Sequence, residues 1–213
     1  MRSCLSKIFV FFLALGAVSC GDPPPSPLIE AAPQGHGQRF YGRKLAPLPE
    51  IETLSFLDMN GQKRSLSDWH GKLVLLFFGY THCPDACPTA LLRIAEAMNR
   101  LGEHDGKKVQ VLFVTLDPER DTEEVLRAYV PAFHPSFMGL HVPQAQVQEL
   151  ADAFRVFYQI VPGTDSMSYS VDHGVDTYVF DAGGNPRLSI PYQATAEEMA
   201  SDLRELLSEA AGG

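Results

Sequence analysis

Leu73 to Tyr80 is a continuous apolar run of strand length, with no charged residue in it. Such a run reads as a strand buried on both faces, because a half-exposed strand would alternate apolar and polar positions. A strand of that kind needs a layer of structure above it and another below. Val109 to Leu116 is a second run of the same sort. Between them Leu91, Leu92, Ala95, Met98 and Leu101 form a stripe at helical spacing, from Pro88 onward. Two doubly buried strands joined by a helix require a parallel crossover.

The remaining elements follow from local chemistry. Ser55 to Asp58 and the turn Met59-Asn60-Gly61-Gln62 predict a hairpin, since Asn-Gly tolerates the positive φ of a tight turn. Asp121 followed by Glu124 reads as a capping box opening a second helix. Gln144 to Phe157 carries Val147, Leu150, Ala151 and Phe154 on one side and predicts a third helix. Val175 to Asp181 and Arg187 to Tyr192 flank the turn Ala182-Gly183-Gly184-Asn185, which makes an antiparallel hairpin. Thr195 and Glu198 form a capping box for a final helix reaching about Ser208. Parallel crossovers followed by an antiparallel hairpin and a terminal helix describe an α/β fold. Its expected form is a thioredoxin-like central sheet flanked by helices, with an N-terminal β-hairpin.

The N-terminus has a different character. Arg2 and Lys7 precede the apolar stretch Ile8 to Val18, which has the length of a signal-peptide core and falls short of the ~20 residues that span a bilayer. It ends in Ala17-Val18-Ser19-Cys20, a pattern resembling the bacterial lipobox. The reading is a signal peptide over 1–19 and lipidation at Cys20. Ordinary cleavage nearby and an uncleaved short anchor are the alternatives. Residues 20–50, rich in proline, read as a linker that holds a domain at 51–213 away from the membrane. His36 is a solvated linker histidine on this reading. The expected location is the bacterial cell envelope, on the periplasmic face of the inner membrane.

Charge and cysteine usage narrow the function. A formal net charge of −9, which becomes −11 once the two basic residues of 1–19 are removed, argues against a nucleic-acid binder. Of four cysteines, Cys4 leaves with the signal and Cys20 is the lipid site, so Cys83 and Cys87 remain for the domain. Export would place them in an oxidising compartment.

Both lie just past a buried strand, at the mouth of the next helix, where ligands of open α/β sheets bind. Pro88 suits a first helical position, which puts Cys87 at or beside the N-cap. There the helix dipole favours thiolate, with Asp85 opposing as a like charge. The spacing is C-x-x-x-C, not the C-x-x-C of a thioredoxin redox pair. Sulfurs so placed can close a disulfide or clasp a metal, and soft sulfur donors select Cu(I). Two thiolates leave room for a third ligand. Spacing does not choose it among the seven histidines, although His173, just before the predicted strand at Val175, is a candidate, with Gly174 giving its loop freedom. A purely stabilising disulfide would gain little, because closure of so short a loop removes little chain entropy.

Gly79-Tyr80-Thr81-His82-Cys83-Pro84-Asp85-Ala86-Cys87-Pro88 resembles the signature of the Sco/SenC family of copper-binding assembly proteins. Asp117-Pro118-Glu119-Arg120-Asp121-Thr122, Gly139-Leu140 and Tyr169-Ser170-Val171-Asp172-His173 match the same family, and the likeness runs from about residue 50 to the C-terminus. The resemblance implies a thioredoxin fold and one copper ion held by Cys83, Cys87 and His173. It also implies a role in building the dinuclear copper centre of cytochrome c oxidase subunit II. The chain departs from the family in having Gly174 where Ser or Thr commonly follows the histidine.

These features lead to a copper metallochaperone. The alternative is a thiol-disulfide reductase acting through Cys83 and Cys87 on the cysteines of the same client, by way of a mixed disulfide. Only the chaperone needs His173. A copper or redox sensor is compatible with the cysteines but nothing favours it, and a peroxidase would need a lone activated cysteine.

Overall fold

The structure, a computed structural model, describes residues 39–48, 51, 54–163 and 168–212. The expected signal peptide, Cys20 and most of the 20–50 linker, His36 included, lie outside the described residues.

In chain order the strands and helices are β1 (Arg43–Lys44), β2 (Phe56–Asp58), β3 (Lys63–Arg64), β4 (Leu73–Gly79), α1 (Ala86–Gly106), β5 (Val109–Thr115) and α2 (Glu123–Tyr129). They continue with β6 (Met138–His141), α3 (Val147–Ala153), β7 (Tyr158–Pro162), β8 (Tyr169–His173), β9 (Thr177–Phe180), β10 (Pro186–Ile190) and α4 (Ala196–Gly212). Eight strands form one sheet in the order β1-β10-β9-β4-β5-β6-β2-β3. β4, β5 and β6 run parallel, β9 runs antiparallel to β4, and β7 pairs only with β8 in a separate two-stranded ribbon. This is the thioredoxin-like sandwich that the element order predicts, and β2–β3 is its expected N-terminal hairpin.

The two long apolar runs occupy the centre. Every residue of β4 and β5 is buried, as a strand covered on both faces requires. On one face Phe77 meets Phe113, which in turn meets Tyr129 of α2. On the other face Phe154, just past α3, sets its ring against Phe78 at 5.0 Å and Phe180 at 6.2 Å. A buried aromatic such as these contributes on the order of 2–3 kcal/mol.

Several expectations are revised. α1 begins at Ala86 with Asp85 as N-cap, earlier than a first helical position at Pro88 would put it. Proline is tolerated there because the N–H groups of a first turn have no partner within the helix. The second helix is capped by Thr122, whose hydroxyl accepts from Val125 N, and not by Asp121. Asp121 is fully buried and serves elsewhere. The third helix is shorter than the apolar stripe: a 3₁₀ turn covers Gln144–Gln146, and Arg155 takes a left-handed φ of 52° that ends the helix. Val156 N then bonds back to Ala151 O at 2.8 Å, and the chain leaves as β7. β6, β7 and β8 were not anticipated as strands, and the strand expected from Val175 begins at Thr177. The Thr195–Glu198 capping box is present in both directions, and α4 runs on past Ser208 to Gly212.

The sheet also takes in part of the stretch that reads as linker. Arg43 and Lys44 pair with Ser189 and Leu188, Leu45 and Leu48 are buried, and the N–H groups of Tyr41 and Gly42 donate to the Asp202 carboxylate at 2.8 and 2.7 Å.

Candidate metal centre

The tight junction between β4 and α1 sets the two cysteines. The chain turns after Tyr80, with Cys83 N donating to Tyr80 O at 3.3 Å. Four residues later Cys87 lies within the first turn of α1, not at its cap, and its N–H points at Cys83 Sγ, 3.4 Å away. Both cysteines are free; Cys83 is half-buried and Cys87 fully buried. Gly79 is what lets the helix come so close. A Cβ at that position would stand 2.9 Å from Cys87 Sγ and 2.9 Å from the Phe113 ring.

The two thiols are electrostatically unlike. The hydrogen bond from the Cys87 thiol is the main cause that holds Cys83 down at about 5, against the upward push of burial. The N–H groups of Cys87 and Asp85 act in the same direction. Asp85 therefore supports the Cys83 thiolate through its backbone. Cys87 is pushed strongly up, first by its hydrogen bond to Cys83 and then by burial. The pair thus holds one proton between two sulfurs, kept on the inner one.

His173, the last residue of β8, arrives from the separate ribbon. Its Nε2 lies 3.4 Å from Cys87 Sγ, and its Nδ1 lies 2.7 Å from Gly174 O. A carbonyl can only accept, so Nδ1 carries a hydrogen, and in the neutral ring the Nε2 lone pair faces Cys87 Sγ. A ligating imidazole needs this tautomer, with its second nitrogen fixed by a backbone carbonyl. Tyr80 stands edge-on to the imidazole, with ring centroids 5.9 Å apart.

The other described histidines face other groups. His82 points to Thr81 Oγ1, His104 to Asp105 and His134 to Ser136, while His141 lies 3.7 Å from Glu123; His70 sits beside Gly184. Among the described residues, His82, Asp117 and Asp121 also offer ligand atoms within 4.8 Å of one another. Their carboxylates are already engaged. Asp121 accepts from Thr81 N at 2.9 Å, Thr81 Oγ1 at 2.5 Å and Thr115 Oγ1 at 2.6 Å. Asp117 pairs with Arg120 and accepts from the Tyr169 hydroxyl at 2.6 Å. This group is a scaffold, and it ties the loop before Cys83 to the end of β5. Sequence reasoning missed the tethering by Asp121 and the part played by Tyr169. The signal available was the recurrence of Asp, Arg and Thr directly after a buried strand.

The comparisons with known proteins bear on this geometry. The profile of the SCO1/SenC family matches residues 46–208. The chain belongs to the SCO1/SenC family. An SCO2-like protein of Rickettsia conorii is 38% identical over 151 residues, covering 70% of this chain and 72% of the relative. The human mitochondrial SCO2 homologue is 38% identical over 149 residues, and there the match spans only 56% of the relative's length. Among solved structures, Bradyrhizobium japonicum ScoI with copper bound is 35% identical with a TM-score of 0.66, covering 76% of this chain and 98% of that one. Apo Sco1 of Thermus thermophilus is 38% identical with a TM-score of 0.68, covering 81% and 99%. The family's thioredoxin-like sheet is thus the one described above.

Proposed function

We propose that this SCO1/SenC protein carries a copper ion on Cys83, Cys87 and His173 and hands it to a copper-site protein during cytochrome c oxidase assembly. The dinuclear copper site of subunit II is the expected receiver. The observation that carries the reading is the convergence of two free sulfurs and an imidazole nitrogen from separate parts of the chain. This donor set is soft and suits Cu(I). Two thiolates, one neutral imidazole and Cu(I) sum to a charge of −1, tolerable at a site half open through Cys83. Three donors leave copper accessible to an incoming thiolate, so transfer can proceed by ligand exchange. A copper-bound relative from Bradyrhizobium japonicum supports the cargo. The protein would work at the periplasmic face of the inner membrane, tethered through a lipid on Cys20.

One observation favours a second reading. Cys83 is accessible and held near pKa 5 beside a buried partner thiol, which suits thiol-disulfide exchange with the client's cysteines. Cu(I) competition against a calibrated chelator separates the two. Wild type is expected to bind one ion, and His173→Ala to bind at least about tenfold more weakly, close to 1.4 kcal/mol. Equal binding by both proteins would remove His173 from the site and leave dithiol exchange as the better account.

A further inference from the structure

Arg120 supplies no donor to the proposed site, yet it governs the strand that does. Its guanidinium lies 3.6 Å from the centroid of the Tyr169 ring and 5.7 Å from that of Tyr80. It donates to Tyr169 O at 3.0 Å and pairs with Asp117, whose other oxygen accepts from the Tyr169 hydroxyl. Tyr169 is thereby held at its ring face, its carbonyl and its hydroxyl. It is the first residue of β8, and His173 is the last.

The ribbon β7–β8 shares no ladder with the eight-stranded sheet, so the roll of β8 is set by side-chain contacts. Tyr169, Val171 and His173 are alternate residues and project to one side of the strand. Any rotation of Tyr169 about the strand axis therefore turns the imidazole in the same sense. Towards the middle of the strand Val171 meets the Tyr80 hydroxyl, and on the β7 side Gln144 reaches the Tyr158 hydroxyl only at 3.5 Å.

We propose that Arg120 is a positioning residue for His173: its stack on Tyr169 and its bond to that residue's carbonyl fix the roll of β8 and aim Nε2 at the cysteine pair. The inference rests on the three-donor reading of the site. Lysine would keep the charge beside Asp117 but lose both the planar stack and the fork that joins Asp117 to the Tyr169 carbonyl.

The test is Cu(I) competition on four reduced proteins: wild type, Arg120→Lys, His173→Ala and the double variant. Arg120→Lys should weaken binding about tenfold, the lower end of what loss of an outer support costs a metal site. In the His173→Ala background the same change should cost no more than about twofold, because the residue it positions is gone. Tyr169→Leu removes the ring and keeps the Arg120–Asp117 pair. It should reproduce both results, which guards against a lysine variant that folds poorly. Unchanged binding by Arg120→Lys and Tyr169→Leu would overturn the proposal, as would a full tenfold loss on top of His173→Ala. If His173→Ala itself bound as wild type, the three-donor reading would fail and this inference with it.

Discussion

Cys87 Sγ and His173 Nε2 stand 3.4 Å apart although 86 positions separate them in the chain. The contact joins the first turn of α1 to the end of the outlying ribbon. It also leaves Cys87 as the buried member of the trio, with Cys83 and His173 both half-buried.

Alkylation of the reduced, metal-free domain should follow that asymmetry. Cys83 is half-buried and held largely as thiolate, whereas Cys87 is fully buried and protonated. Iodoacetamide at pH 6–7 is expected to modify Cys83 at least about tenfold faster, since the thiolate is the reactive form. Peptide mapping after short exposure would show it. Equal labelling of both would mean that the helix start is open in solution.

Gly79→Ala should damage both fold and site. The added methyl would lie 2.9 Å from Cys87 Sγ and from the Phe113 ring, inside a fully packed layer. Overpacking of this kind costs about 1–3 kcal/mol, read as a lower urea midpoint, and copper binding should weaken as Cys87 is pushed aside. A variant as stable as wild type and with the same affinity would show that α1 can shift outward at no cost.

Gly174→Ser is expected to be silent. A Cβ there would meet Val156 Cγ1 at 3.5 Å, an ordinary contact, and the backbone is not left-handed. The family's usual residue type thus fits, and Cu(I) affinity should stay within about twofold of wild type. A larger change in either direction would show that the histidine loop depends on glycine.

Asp121→Ala removes the shared acceptor of Thr81 N, Thr81 Oγ1 and Thr115 Oγ1. Unsatisfied buried donors cost about 1–3 kcal/mol each, so a loss of about 3 kcal/mol in urea unfolding is expected. An unchanged midpoint would rule out the tether.

Asp58 gives the fold an acid-sensitive point. Burial pushes its carboxyl up, but the N–H groups of Gln62 and Asn60 and the Arg64 guanidinium outweigh that and hold it below its ordinary value of 3.8. A depressed carboxyl adds stability that is complete above its unfolded pKa and is lost as pH falls through the folded one. Urea midpoints measured downward from pH 5 should therefore fall less steeply below about pH 4 for Asp58→Asn than for wild type. Parallel curves would remove Asp58 from the acid response.

What could be read from the sequence tracks how local each determinant is. Leu73 to Gly79 and Val109 to Thr115 were legible because a strand buried on both faces leaves no polar position. Gly61 and Gly184 marked their turns, both with positive φ. The ribbon was missed because Tyr158–Pro162 and Tyr169–His173 are half-exposed and short, and each is stabilised by the other across a loop. Asp121 reads as a cap because an aspartate before a helix ordinarily is one. Its burial is decided by Thr81, forty residues away. The pair Cys83 and Cys87 was legible from spacing, while position made His173 only a candidate among seven histidines and the family likeness singled it out.

The separate ribbon has a mechanical consequence. Cysteines on the body and a histidine on the ribbon make the site a seam, and an ion held by all three would close it like a rivet. Cargo and fastener would then be the same atom. Loaded and empty molecules would differ most in the stiffness of one edge, so a partner that grips the ribbon could tell them apart by how far it yields.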